Sequence, residues 1–489
     1  MLFDGSKFLR RAGRPSPTAA AQPSPGASLL GHDDQGRPVL QARPDNRTAQ
    51  HLLLLAASGS GKSVLLAWQL LQEVIWETNN VPRDQWQCLF VADPKNDTAT
   101  LLLEGIFVAC PERARDIVWL NPFDRGFDFN LNHLAIPGVS DEVKARLVAD
   151  VTAIVSTASG AAASGGAGSR QLDAWLHAIL GSLTITDPRA HVLLAAEALA
   201  TEAGQKRLAA LTKSPQAREF LQDATLSEEL RSSTTARLRL CFGATDMQAR
   251  IFSSNRALDL GDLLGAGKIV LLPVGDPPGG LKSLKSLWIN LFGRFVIERL
   301  LSRPSPWRGH HARIVLDEVQ EALVLEDAIE RIATVGRSKG VSGIYASQGT
   351  TLIADASSAL LKVLRSNTPT AIIGRSNFAD ARQFSAEQAP LPGVDEAPHA
   401  VQQKIMASIL SLPDRHFWLL RPGQRVRFQS ADVAVDEWRR NADQQAAVVA
   451  AIKARHGLAD AQQSRVTLKD LMPEKPPRAA STRPRSRFG

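Results

Sequence analysis

Two stretches far apart in the chain carry residues suited to phosphate chemistry. The first is HLLLLAASGSGKSVLLAWQLL, His51 to Leu71. Its centre, Ala56-Ala57-Ser58-Gly59-Ser60-Gly61-Lys62-Ser63, follows the pattern G-x-x-x-x-G-K-[ST], with Ala56 in place of the first glycine. In such a loop Ser58, Gly59, Ser60 and Gly61 let backbone N–H groups converge on phosphate oxygens, and the helix that follows adds its positive end. Lys62 would reach the β- and γ-phosphates of ATP, and the Ser63 hydroxyl would ligate Mg²⁺. An alanine is tolerable at position 56 if the backbone there keeps ordinary angles. A Gly/Ser-rich turn holding a chance lysine is the competing reading. The apolar strand before the loop and the helical pattern after it disfavour that.

The second stretch is RIVLDEVQEAL, in which a short apolar run leads into Asp317 and Glu318. A nucleotide hydrolase needs a carboxylate on the metal side and a group that polarises the attacking water. Asp317 would contribute to the nucleotide site by holding the Mg²⁺ shell, and the catalytic Glu318 would polarise the attacking water. Adjacent acids at a strand end also suit an N-cap and first helical turn. The upstream loop favours the catalytic reading.

The surrounding pattern supplies the elements that must position these groups. HLLLL, QCLFVADPK, IVWLNP, KIVLLPV, ARIVLDE, VSGIYAS and TAIIGR read as strands, and SVLLAWQLLQEVIW as a helix. Strands separated by helices argue for an α/β fold with a mainly parallel sheet covered on both faces. Residues 139–240 have helical spacing with no convincing strand, broken by TASGAAASGGAGS, and read as an inserted all-α domain. The expected layout is a disordered basic arm (1–30), a nucleotide-binding domain in two parts (31–138 and 241–430), the insertion between them, a helical segment (431–470) and a basic tail (471–489). FWLLRPGQRVRFQS is expected to form a terminal antiparallel pair around Pro422-Gly423.

Composition removes other classes. Three cysteines without CxxC spacing argue against a disulfide framework or a zinc site. A formal charge of +8 on 489 residues tolerates a polyanionic partner without demanding one. No apolar run reaches the ~18 residues of a membrane helix, and the N-terminal arginines follow the apolar start, the wrong order for a secretory signal. The expected location is the cytoplasm, with recruitment to the inner membrane left open. HExxH, GxSxG and cysteine-nucleophile patterns are absent, and His310-His311 has no acidic ligands beside it.

Three further stretches narrow the class: GRSKGVSGIYASQ (336–348), VADPKNDT (91–98) and LNPFDRGFDFNLNHLA (120–135). With the two motifs above, they resemble the type IV secretion coupling proteins, the TraG/TraD group of the FtsK/HerA superfamily. The resemblance runs through residues 30–430 in order. It implies a RecA-like P-loop nucleotide-binding domain and an ATP- and Mg²⁺-dependent, DNA-stimulated ATPase. It also implies a homo-hexameric ring that moves DNA without sequence specificity. Gln348 would be the γ-phosphate sensor, and Arg337 the arginine finger given to a neighbouring subunit's site. Asp93 and Lys95 sit in the family's DPK motif beside the site. Relaxases or other secretion and mobile-element proteins are the implied partners.

This chain departs from the family pattern in lacking N-terminal membrane helices, in Asn96-Asp97 for Gly-Glu, and in Ala56. Lys282 and Lys285, in PPGGLKSLKS, are candidate DNA contacts, as are the 157–169 loop and the tail arginines. Two other functions fit the same residues. One is a HerA-like DNA-processing or phage-defence ATPase that acts with a nuclease. The other is an ATP-gated platform that docks relaxase or protein substrates on the helical insertion.

Overall fold

The computed structural model describes residues 27–42, 50–121, 192–212, 215–222, 228–242, 260–275, 282–388, 398–422 and 424–436, and single residues within 140–153 and 443–450. The 157–169 loop, the tail arginines, Gly423 and most of the 431–470 segment lie outside the described residues.

Among the described residues one sheet of eleven strands organises the molecule. The strands are β1 (Ala27–Asp33), β2 (Pro38–Ala42), β3 (Leu52–Leu55), β4 (Cys88–Asp93), β5 (Ile117–Trp119), β6 (Ile269–Pro273), β7 (Ala312–Leu316), β8 (Val341–Ser347), β9 (Thr370–Ile373), β10 (His416–Arg421) and β11 (Gln424–Ser430). Their order is β2-β1-β11-β10-β9-β3-β8-β7-β4-β6-β5. Every pairing from β9 to β5 is parallel, and every pairing from β2 to β9 is antiparallel. The sheet is therefore mainly parallel, as the alternating pattern requires, with an antiparallel margin on one side.

Each central strand is buried on both faces, so it reads as an apolar run rather than an alternation. Its side chains still alternate. Leu53 and Leu55 of β3 join one core with Phe90, Ile314 and Leu316, while Leu52 and Leu54 join the other with Leu89, Val91 and Val315. Helices α1 (Lys62–Asn80) and α2 (Asp97–Ala109) cover the second face through Leu65, Leu66, Leu70, Leu102 and Ile106.

In the insertion, α3 (Val192–Leu199), α4 (Glu202–Leu211), α5 (Pro215–Gln222) and α6 (Glu228–Phe242) are all helical. Their Leu193, Leu208, Leu221 and Phe242 merge into the first core. Helix α7 (Lys282–Leu301) and α8 (Glu326–Val335) lie over that same face. Leu287, Trp288, Ile289, Leu291 and Phe292 of α7 are all buried, as are the polar Asn290, Arg294 and Glu298, so this stretch of the helix is covered on every side. Further helices among the described residues are α9 (Thr350–Ala356), α10 (Ser358–Asn367), α11 (Phe378–Gln388) and α12 (Pro398–Leu410), and a single helical turn at Leu260–Leu263 precedes β6.

The expected antiparallel pair is present as β10–β11, with Arg421 opposite Gln424. The expected arm needs one correction: residues 27–30 are not disordered but open β1. Leu30 is fully buried, and the Trp68 indole of α1 donates to the Leu29 carbonyl at 2.6 Å. The stretch is too short to show a period, and one of its two partner strands, β11, lies at the far end of the chain.

A buried ion pair locks α1 onto the sheet. Arg313 of β7 donates to Glu73 of α1 at 2.7 Å, both nearly inaccessible, and Gln87 donates to the other Glu73 oxygen at 3.0 Å. Removing one partner leaves the other charge buried and uncompensated. Glu73→Ala is therefore expected to lower unfolding free energy by about 3–5 kcal/mol. Urea denaturation checks this, and a loss below about 1 kcal/mol would show that the pair is not what ties α1 to β7.

Candidate nucleotide site

Because the central strands are parallel, their C-terminal ends share one edge of the sheet, where open α/β folds form their crevice. The loop after β3 is fixed by its neighbours there. The Ala56 N–H donates to the Ser347 carbonyl at 3.1 Å, and the Ala57 N–H donates to the Arg375 carbonyl at 2.8 Å. Ser60 is buried, and its hydroxyl donates to the Ala57 carbonyl at 2.6 Å, tightening the turn from within. Ser58 and Gly59 are exposed at the tip.

Gly59 and Gly61 have φ of 77° and 90°, the left-handed region that favours glycine. Ala56 is not among the positive-φ residues, which is why alanine serves there. Its methyl has a matching partner. A Cβ on Gly374, at the end of β9, would lie 2.7 Å from the Ala56 Cβ, so the glycine makes room for the alanine.

Helix α1 starts at Lys62, with Ser63 half-buried in its first turn. The Lys62 ammonium is buried against both acids of the β7 end: 2.5 Å from Asp317 Oδ1 and 2.9 Å from Glu318 Oε1. Burial alone would lower the Lys62 pKa, but the Asp317 and Glu318 carboxylates hold it above its usual value.

Glu318 is the most contacted group of the cluster. Its Oε1 accepts from Lys62, from the Lys95 ammonium and from the Gln348 amide at 3.2 Å, while Oε2 accepts from Gln320 at 2.6 Å. Burial pulls its pKa upward. The Lys62 charge, with the hydrogen bonds from Lys95, Lys62 and Gln320, outweighs that and holds it down at about 2. Its φ of 57° is unusual for a residue with a long side chain.

Asp317 Oδ2 accepts from the Thr98 hydroxyl at 2.8 Å. Asp93, fully buried at the end of β4, accepts from the backbone N–H groups of Lys95, Asn96 and Ala99 at 2.8–3.0 Å. Burial and the neighbouring Asp317 charge nevertheless push its pKa up to about 6.

The donor set suits Mg²⁺. One hydroxyl (Ser63) and one carboxylate (Asp317) at the mouth of a phosphate loop match an ion that takes few protein ligands and fills its octahedron with phosphate and water. Among the described residues no group of three or more His, Cys, Asp or Glu could hold a metal by itself.

Lys62, Ser63, Asp317, Glu318, Gln348, Asp93 and Lys95 thus share one edge. Arg337 does not. It is exposed in the turn before β8, whereas Gln348 follows the other end of that seven-residue strand. At about 3.3 Å per residue the two ends are roughly 20 Å apart. Lys282 and Lys285 fall in the first turn of α7, and Lys285 is half-buried. One to two turns further along, the same helix meets the acids indirectly. The Ser286 hydroxyl and Asn290 amide donate to the Glu321 carbonyl at 3.1 and 3.2 Å, and the Glu321 N–H donates to the Glu318 carbonyl at 2.8 Å.

Sequence reasoning missed Thr98, Gln320 and Arg415. Thr98 and Gln320 lie inside or beside quoted motifs, so their polarity was a usable signal. Arg415 had none. Its N–H donates to the Ser60 carbonyl at 2.8 Å, its own φ is 65°, and its guanidinium pairs with Asp432 at 2.8 Å. A Cβ on Gly61 would meet Arg415 Cγ at 2.8 Å. Gly61→Ala therefore suffers both backbone strain and a clash. It should cost about 1–3 kcal/mol of stability and weaken nucleotide binding about ten-fold or more. Thermal melts and fluorescent-nucleotide titration would detect both, and parent-like binding would show that the loop tolerates a side chain here.

No protein-family model matches this chain, and no curated protein does. Solved structures do. VirB4 of Thermoanaerobacter pseudethanolicus superposes with a TM-score of 0.56 at 15% identity, over 83% of this chain and 96% of that one. The plasmid coupling protein TrwB in complex with ADP and Mg²⁺ gives 0.50 at 16% identity, over 84% and 91%. At these identities the likeness is one of fold: the chain is built on the RecA-like P-loop fold of VirB4 and TrwB.

Proposed function

We propose that this chain is a DNA-stimulated ATPase that works as a ring, most simply a homo-hexamer, and drives DNA along its axis. The observation that carries the reading is the gathering of Lys62, Ser63, Asp317, Glu318 and Gln348 at one strand edge while Arg337 stands exposed at the other. An arginine roughly 20 Å from its own site is out of reach of the nucleotide there, so a finger role for Arg337 requires another copy. A head-to-tail ring supplies that copy at every interface. The fold shared with a coupling protein crystallised with ADP and Mg²⁺ supports the nucleotide and metal. No helix among the described residues is long and apolar enough to cross a membrane.

In this reading the triphosphate enters the loop 56–63 and competes with Asp317 and Glu318 for the Lys62 ammonium. Ser63 and Asp317 would hold Mg²⁺, whose chemistry there would be to offset the negative charge of the triphosphate. Glu318, freed from Lys62, orients a water in line with the γ-phosphorus. Gln348, already on the Glu318 carboxylate, registers whether the γ-phosphoryl group is present. Arg337 of the next subunit stabilises charge on the transferring group. DNA would bear on the site through α7. Lys282 and Lys285 contact phosphates without reading bases, and Ser286 and Asn290 of the same helix hold the turn that follows Glu318.

ATP hydrolysis by the full chain, with and without single- and double-stranded DNA, tests this. Lys62→Ala and Glu318→Gln should abolish turnover. Arg337→Ala should lower kcat about a thousand-fold while nucleotide affinity stays within about three-fold. Mixing the Arg337→Ala and Glu318→Gln proteins should restore activity, because some interfaces then pair an intact glutamate with an intact arginine. A mixture as inactive as its components would refute the shared site. Turnover indifferent to DNA would refute the motor.

A further inference from the structure

We propose that the β4–α2 loop is the positioning element of the catalytic edge, with Thr98 fixing Asp317 and Lys95 holding Glu318 once a phosphate has drawn Lys62 away. This rests on the nucleotide-site reading above.

The loop is built to stay in place. Asp93 accepts from the backbone of Lys95, Asn96 and Ala99, and Asn96 turns the chain through φ 65° into α2. From this frame two side chains reach across to the adjacent strand β7. Thr98 is fully buried, and its hydroxyl has Asp317 Oδ2 as acceptor at 2.8 Å, which leaves Oδ1 on the side of Lys62. Lys95 is exposed, yet its ammonium ends on Glu318 Oε1, the oxygen that Lys62 also contacts.

Charge balance separates the roles of the two lysines. Lys62 and Lys95 together offset Asp317 and Glu318. A polyphosphate in the loop competes for Lys62, because that lysine sits at the start of α1 where the phosphates dock. Lys95 sits on a different loop, on the far side of β7 from the phosphate loop. It remains as the counter-charge that keeps the Glu318 carboxylate aimed. The left-handed backbone of Glu318 fits this: a strained residue at a functional site persists only where its surroundings over-determine it. Neither residue needs to touch the nucleotide, so both act through the acids they hold.

The test uses the full chain with ATP, fluorescent mant-ATP and Mg²⁺. Lys95→Ala should lose about ten-fold or more in kcat while KM and the mant-ATP Kd stay within about three-fold. Lys95→Gln should behave the same way, and Lys95→Arg, which keeps the cation, should recover most of the rate. Thr98→Val keeps the shape and removes the donor. It should raise the Mg²⁺ concentration for half-maximal mant-ATP binding about three-fold or more, and Thr98→Ser should restore it. A Lys95→Ala protein at or above the parent kcat, a loss shared equally by kcat and Kd, or no rescue by arginine would overturn the role of Lys95. Parent-like Mg²⁺ dependence in Thr98→Val would overturn that of Thr98. Lys62→Ala separates the two levels. If it still binds mant-ATP as the parent does, the nucleotide site itself is misread; if it does not, parent-like Lys95 and Thr98 variants defeat only the positioning role.

Discussion

The ammonium of Lys62, buried between Asp317 and Glu318, is the interaction on which the rest of the site depends. A lysine this inaccessible is stable only as one member of a paired cluster. Its two acids come from β7, and it comes from the start of α1, so the pairing fixes the loop after β3 against the end of β7. Strand β8 lies between them and contributes Gln348 to the same carboxylate. Three elements distant in the chain are thereby held at hydrogen-bonding distance around one point.

That geometry is possible because the central strands are parallel and in register. Leu55 pairs with Ser347, and Leu316 pairs with Tyr345 and Ala92, so the four strand ends finish within a residue or two of one another. About three turns along α1 from its charged start, the Glu73–Arg313 pair clamps the same helix to the same strand β7. One ion pair stands at the C-terminal edge of the strands; the other sits in the interior between α1 and β7.

The antiparallel margin does a different task. Strands β10 and β11 bring Arg415 and Asp432 to the outer side of the phosphate loop, and the Arg415 backbone and side chain brace Ser60 and Gly61. Arg375, whose carbonyl accepts from Ala57, pairs with Asp414 nearby at 2.9 Å. The loop therefore leans on the end of the chain as well as on β3. Gly374 against Ala56 belongs to the same adjustment: a methyl gained in the loop is matched by a methyl absent from the next strand end.

Much of this was legible in the residues. The phosphate loop, the paired acids, the strand content and the mainly parallel sheet all follow from local chemistry and apolar runs, because a phosphate cradle needs its glycines and lysine within a few residues, and a strand buried on both faces must be apolar throughout. What the sequence could not reveal depends on contacts between distant segments. Strand β1 exists because β2 and β11 pair with it, and Arg415 matters because a hairpin far down the chain folds against Gly61. Thr98 and Lys95 become partners of Asp317 and Glu318 only when β4 lies beside β7. The sequence alone determined the Gly/Ser/Lys loop, the adjacent acids and the strands that carry them; strand order decided which side chains hold those groups, since hydrogen bonds between distant residues leave no period or spacing to read.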